Sequence, residues 1–355
     1  MVSAIPAVTA APERAPHYLT VNGGVRLETT PVYDLYWRSA VERQRIYVKR
    51  LAGRPAPWTD DPVLGNYRFC NVYRASDRVS QMCIRIGDAQ RGRASADEVF
   101  FRIMLFKIFN SIRTWDRLCR ELGTLPSFLS FHPDGYAEIL DGIAARGAIY
   151  NSAYVMPNPP FGHRRKHRNH MHLLQSMMDD GAPQKALSTQ NLGELFDLML
   201  SYPSHGRFLA FQYAIDLNYS LTMHDEREFV VAGPGALSGI SKCFVNHKDA
   251  SAEDVIHAMQ RAQHDEFERL GMRFNQLGGS RELMPIDIQN WLCETNKIAR
   301  VVFPDVKGCD GRSRIKQVYR RSLDELLQPL YPPSWKVSEA ALRRQLAFEE
   351  FMGGK

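Results

Sequence analysis

The sequence lacks most of the signatures that assign an activity directly. It has no GxxxxGK[ST] segment, which excludes the phosphate-binding loop of nucleotide hydrolases. HExxH and GxSxG are missing as well, which removes two common hydrolase patterns. No HxE is followed by PCxxC, so the chain is not a zinc deaminase. The six cysteines, Cys70, Cys83, Cys119, Cys243, Cys293 and Cys309, are scattered without a CxxC pair. The close spacing of four that an iron–sulfur cluster needs is absent. They read as reduced, mostly buried thiols of a cytosolic protein. No run of about 18 apolar residues exists to span a membrane. The stretch Met1 to Pro16 is rich in Ala and Pro but lacks the basic start and apolar core of a signal peptide, so it reads as a disordered lead-in. There is no alternating strand series and no internal repeat.

What the chain does have is length and a mild excess of positive charge. At 355 residues, 44% hydrophobic and 24% charged, it can bury a large core in one elaborate domain or two packed lobes. Lys plus Arg number 45 against 39 Asp plus Glu, a net charge of +6 that suits a polyanionic partner without proving one.

Helical periodicity dominates. Order is expected from about Tyr33, with a first helix over Val32 to Leu51 stopped by Gly53, Pro55 and Pro57. Trp58 to Leu64 reads as a connector and Tyr67 to Ile86 as a second helix. Glu98 to Leu122 reads as one long central helix, apolar around most of its girth near its start. A Lys107 buried within it would need a partner. Further helices are expected at Gly135 to Ala145, His170 to Asp179, Leu192 to Tyr202, Arg207 to Tyr219, up to Leu270 from a cap at Ser251, Ile286 to Phe303, from a cap at Ser322, and Glu339 to Phe351. The fold class is all-α. Residues 1–30 form the lead-in, 31–325 the helical domain, and 326–355 a helical tail.

Four segments carry chemistry. Tyr202-Pro-Ser-His-Gly206 followed by Arg207 has the form of a helix-hairpin-helix turn, with Ser204 in place of the usual first glycine. Backbone amides at such a turn hold a DNA phosphate, although an ordinary helix–helix turn explains it equally well. Phe229 to Ile240 runs through a Gly233-Pro-Gly235 turn that opens a helix, where small residues let backbone approach an anion; a tight turn without a ligand is the alternative. Asp216 and Asn218 lie between the two, where such residues are more often caps. On Ile286 to Arg300, Asp287, Asn290, Glu294 and Lys297 share one helical face, with Gln289, Asn296 and Arg300 on its edge. That stripe is either a site or a solvated face. In Tyr67 to Ser80, aromatics interleave with Arg74 and Arg78, as a surface that stacks bases and holds phosphates requires. Two basic clusters complete the picture: Arg164, Arg165, Lys166 and Arg168, and Arg312, Arg314, Lys316, Arg320 and Arg321. The histidines among the first could suggest a metal, but no Cys or carboxylate stands next to them, and a mobile basic loop with no metal is expected.

Together these blocks, with Trp58 to Pro62, Phe106 to Asn110, Thr114-Trp115 and Phe211 to Ser220, resemble the helical family tied to thymine hypermodification in DNA. It includes the alpha-glutamyl/putrescinyl thymine pyrophosphorylase-like proteins, the amino acid:DNA transferases, and the helical domain of 5-hydroxymethyluridine DNA kinases. The likeness runs from about Tyr33 to Arg321. It implies a remodelled helix-hairpin-helix DNA glycosylase-like fold in the cytoplasm of a bacterial or phage-infected cell. Where lyase-type glycosylases keep a nucleophilic lysine, this chain has Phe208; where the glycosylase aspartate would follow, it has Ala232 and Gly233. The scaffold is kept and the excision chemistry lost. No kinase domain accompanies the pattern.

The resemblance implies a transferase without a cofactor that flips an activated 5-hydroxymethyluracil, phosphorylated or pyrophosphorylated, out of double-stranded DNA. An amine donor, an amino acid or a polyamine, would displace the phosphate. Expected catalytic residues are Glu294 first, then Asp287, with Lys297; Arg74, Arg78, Asp216, Asn218, Gln289, Arg300 and Gly233 would bind substrate. Gly206, Arg207, Gly235, Lys242, Arg164, Arg165, Arg312, Arg314 and Lys316 would hold DNA. The alternatives are a glycosylase-like enzyme that excises a modified base, and a non-catalytic DNA-binding partner of a separate 5-hydroxymethyluridine DNA kinase.

Overall fold

A computed structural model describes residues 16–88, 94–152, 155–320 and 328–353. The described chain is mostly helical. Its only sheet there is a short hairpin, β1 (Tyr18–Thr20) with β2 (Arg26–Glu28), paired antiparallel with Leu19 opposite Leu27. The helices, in chain order, are α1 (Pro31–Leu51), α2 (Pro62–Asn66), α3 (Arg78–Asp88), α4 (Ala96–Phe109), α5 (Ile112–Leu122), α6 (Pro133–Ala145), α7 (Lys166–Asp179), α8 (Ala182–Ser188), α9 (Leu192–Ser201), α10 (Arg207–Leu217), α11 (Pro234–Cys243), α12 (Ala252–Arg269), α13 (Pro285–Val302) and α14 (Glu339–Gly353). None of them is long and apolar enough to cross a membrane. The chain divides into two compact units: one holds residues 1–76, 230–328 and 337–355, the other 77–229 and 329–336.

In the first unit α13 is the central rod. Its inward residues Ile288, Trp291, Leu292 and Ile298 are buried. The Trp291 indole donates to Tyr36 O on α1 at 3.1 Å, which ties the two helices by a buried hydrogen bond as well as by area. α1 begins where Thr30 accepts from Val32 N and Pro31 fills the first helical position. α11 lies very close to α13. A Cβ on Gly239 would sit 2.3 Å from Leu292 O, and one on Gly235 would sit 2.3 Å from Cys293 Sγ. These two glycines, one turn apart, let the helices touch. The last helix belongs to this unit too: Gln345 donates to Gln276 O at 2.8 Å and accepts from Gly278 N at 3.0 Å.

In the second unit α4 is the core helix, buried without a break from Phe100 to Phe109. It ends at Asn110, which is left-handed at φ 49°. Glu98 to Leu122 is therefore two helices, α4 and α5, not one. Asn tolerates that backbone, and Ser111 caps the restart by accepting from Thr114 N. α9 and α10 pack as a hairpin through residues 202–206.

Three further expectations need correction. Order starts before Tyr33, since residues 18–28 pair as the hairpin. Tyr67 to Ile86 is not one helix: Asp61 caps the short α2, residues 67–73 are irregular, 74–76 form one tight turn, and α3 starts only at Arg78. Tyr67 is held out of helix by an antiparallel bridge to Val318. The basic segment His163 to Arg168 is a loop only in its first half, because α7 opens at Lys166. The helix expected after Ser322 lies outside the described residues.

Candidate functional site

The polar stripe on α13 exists as the spacing requires, and it faces the irregular segment 70–74. The Asp287 carboxylate accepts from Arg74 N at 2.8 Å and from Met284 N at 3.0 Å. Asn290 donates to Asn71 O at 2.9 Å. Glu294 accepts from Cys70 N at 3.4 Å and from the Lys297 ammonium at 2.6 Å. A segment that forms neither helix nor sheet leaves backbone groups that must find partners, and this stripe supplies them. Burial pushes the Asp287 carboxyl up to about 6, against the backbone amides of Arg74 and Met284 and the charges of Arg281 and Arg74. Lys297 behaves differently. Burial would lower it, but Glu294 beside it wins and holds the ammonium above the usual lysine range. Its side chain is 31% exposed, whereas that of Glu294 is 2% exposed, so the lysine forms the open edge of the pair.

The neighbouring edge of α13 grips a second irregular segment. Asp310 accepts from Asn296 Nδ2 and from the Arg300 guanidinium, both at 2.9 Å. Lys242 is buried and donates to Asn296 O at 3.2 Å. Burial lowers its pKa, and Arg300 adds to the effect. Gly308 is pressed so closely here that a Cβ would lie 2.2 Å from Ser238 Oγ.

In the second unit, Lys107 has the partner its burial demands. Its ammonium lies 2.8 Å from an Asp216 carboxylate oxygen and 2.8 Å from Asn110 Oδ1. All three residues are buried. Asn218 caps the π-helical turn that follows α10, accepting from His224 N and Thr222 Oγ1. In the α9–α10 turn Ser204 has φ 65°, the left-handed backbone for which a glycine is usual, and Gly206 is the exposed N-cap of α10. Arg207 reaches back over the Phe196 ring. The basic start of α7 is paired in part: Arg165, His167 and Arg168 all converge on Asp141. Burial works against that carboxyl, yet the hydrogen bonds from Arg168, Arg165 and His167 hold it down at about 2.

Residues 30–308 match the family described as the helical domain of 5-hmdU DNA kinases. The chain belongs to that family. It is 26% identical over 315 residues to the 5-hmdU DNA kinase of Bacillus phage SP10, an alignment covering 81% of this chain and 48% of that protein. The chain thus spans about half the length of the curated relative it matches. No solved structure matches.

Within this helical-domain protein, the expected site residues divide between the units. Asp287, Glu294, Lys297, Arg74, Gln289, Arg300 and Gly233 are in the first, with Gln289 buried and Gly233 capping α11. Arg78, exposed at the start of α3, and Asp216 and Asn218 are in the second. Of the expected DNA contacts, Arg164, Arg165, Arg207, Arg312, Arg314 and Lys316 are exposed, whereas Lys242 and Gly235 are engaged in packing. Sequence reasoning missed Asp141 and Asp310, the carboxylates that organise the two basic clusters. Asp310 had a signal, since Gly308-Cys-Asp-Gly311 is a turn tetrapeptide with Asp where side-chain bonds to backbone are favoured. Asp141 had none, because its partners stand 24 and more positions away.

Proposed function

We propose that this protein hypermodifies a thymine-derived base in double-stranded DNA, replacing the phosphate of an activated 5-hydroxymethyluracil with an amine. The observation that carries the reading is membership, over residues 30–308, in a family described by 5-hmdU in DNA. The base must leave the stack to be reached. The amine nitrogen then forms a bond to the 5-methylene carbon as the carbon–oxygen bond breaks, and the phosphate or pyrophosphate departs with the electron pair. A cation must meet that leaving group and a base must take the ammonium proton. The Lys297–Glu294 pair supports both roles. Lys297 stays charged at its open edge and swings to the phosphate; Glu294, released from it, receives the proton. Asp287, sealed with both oxygens on backbone amides, anchors the 70–74 segment. The α9–α10 hairpin, with Ser204 left-handed and the Gly206 helix start exposed, supports a phosphate grip on DNA.

The test is nucleoside mass spectrometry of DNA carrying phosphorylated 5-hydroxymethyluracil, incubated with amino acids or putrescine. An amine-substituted base made by the wild type, and lost on the order of a hundredfold in Glu294→Gln with DNA binding intact, is the expected result. Abasic sites in place of that base would replace transfer with excision. Binding with no product from any activated base or amine would leave a DNA-binding partner of a kinase.

A further inference from the structure

The two basic clusters differ in a way that assigns them different work. At the start of α7, Arg165 and Arg168 share one carboxylate, Asp141. In the first unit Arg312, Arg314 and Lys316 are exposed, and among the described residues none of them makes an ion pair. They lie on a segment fixed at both ends. At the start, Asp310 is clamped by Asn296 and Arg300, Cys309 N donates to Ser241 Oγ at 3.2 Å, and Arg312 N turns back to Asp310 Oδ1 at 3.1 Å. Arg300 also donates to Arg314 O at 3.1 Å. At the far end Arg68 N donates to Gln317 O at 3.0 Å, and Tyr319 N donates to Asn66 O at 2.9 Å. Between these anchors the chain makes no helical turn, and Ile315 is half-buried while Arg314 and Lys316 on either side are exposed. A chain course without helical turns advances up to about 3.3 Å per residue, so side chains two residues apart can stand as far as about 6.6 Å from each other.

That spacing has a natural counterpart. Neighbouring phosphates on one strand of duplex DNA rise about 3.4 Å along the axis and, with the helical twist, stand about 7 Å apart. We propose that residues 312–316 are a rigid strap whose Arg312, Arg314 and Lys316 hold successive phosphates of one DNA strand without reading bases. The strap, rather than the α7 cluster, then sets the electrostatic part of DNA affinity. Because its backbone is anchored before DNA arrives, little backbone order remains to be gained on binding. Asp310 is its positioning residue. The proposal rests on the reading that this chain acts on DNA, and it names the part of the chain that holds the backbone.

The experiment measures binding of the full chain to fluorescein-labelled duplexes of two unrelated sequences across a range of salt. Replacing Arg312, Arg314 and Lys316 together by Gln should lower the slope of log K against log salt by about 2.7, since each phosphate contact contributes about 0.9. At 0.1 M salt that corresponds to a loss on the order of a hundredfold or more. The loss should be the same on both sequences, with an unchanged melting temperature. Arg165→Gln with Arg168→Gln should leave the slope within about 0.5 of wild type. An unchanged slope in the triple variant, or a loss confined to one sequence, overturns the strap. Product measured in parallel separates the claims: wild-type product with an unchanged slope removes the strap alone, and a lowered slope with no wild-type product removes the transfer reaction and leaves the strap.

Discussion

Lys107→Met tests whether the Lys107–Asp216 pair is structural. The lysine is 3% exposed and the aspartate 1%, and their charged atoms are 2.8 Å apart. Removing one member of a buried pair leaves the other as an uncompensated charge, at a cost of about 3–5 kcal/mol. Spread over a unit of this size, that lowers the melting temperature by roughly 6–20 °C. Replacing both members, Lys107→Met with Asp216→Val, removes the carboxylate that lost its cation and should restore part of the loss. It will not restore all of it, because Asn110 Oδ1 also accepts from Lys107 and is left with an unmet acceptor worth about 1–3 kcal/mol. The pH dependence has a definite sign. In Lys107→Met the buried Asp216 loses its cation, so desolvation favours its protonated form. The folded state then binds more protons than the unfolded, and stability falls as pH rises through the interval between the unfolded and folded pKa values. The deficit relative to wild type should be smaller at pH 5 than at pH 8. The assay is thermal and urea unfolding followed by near-ultraviolet circular dichroism, with Trp115 packed on Phe106 of α4 as one reporter. A deficit under about 1 kcal/mol, or one independent of pH, would falsify this account.

The same linkage applies in the wild type at Asp287. Its folded pKa, raised from 3.8 to about 6, means that stability falls as pH rises from about 4 to about 6, by about 3 kcal/mol, and is level above that. Urea unfolding of wild type and Asp287→Asn across that range checks it; a difference between the two that does not vary with pH would contradict the assignment. Asp141→Asn should release Arg165 and Arg168 for phosphate contact, steepening the salt dependence of DNA binding by up to about 2 in slope. Fluorescence titration against salt measures this, and an unaltered slope would mean that α7 stays clear of DNA even when its charge is uncovered.

The helices were legible where a cap and a period coincide. Ser251 with Asp254 and Gly233 before Pro234 mark starts that the structure keeps. The sequence misled where one residue overrides the period. Asn110 interrupts a pattern that is apolar on both sides of it, and only its left-handed backbone reveals the stop. Tyr67 to Ser76 has helical spacing and no breaker, but its backbone is drawn away by Gln317, Val318 and α13. Gly235 looked like a place for a ligand and is a place for Cys293, a distinction that a single sequence cannot hold because the contact is between helices.

The stripe on α13 follows from that same displaced segment. Polar residues on a Trp-bearing helix suggested a pocket, and the spacing argument was sound; what it could not supply was the identity of the opposite face. Asp287 and Asn290 meet the backbone of residues 71–74, and Asp287, fully buried with both oxygens on backbone amides, presents no open side. One helical turn further, the segment ends at Cys70 N, and the next polar residue, Glu294, shares itself between that amide and a lysine that reaches solvent. The stripe is therefore graded along α13, from groups bound wholly to backbone at its start to an ion pair with an open edge near its end. Chemistry on a ligand needs a group that can change partners, and along this helix Lys297 and Glu294 meet that condition better than Asp287 does.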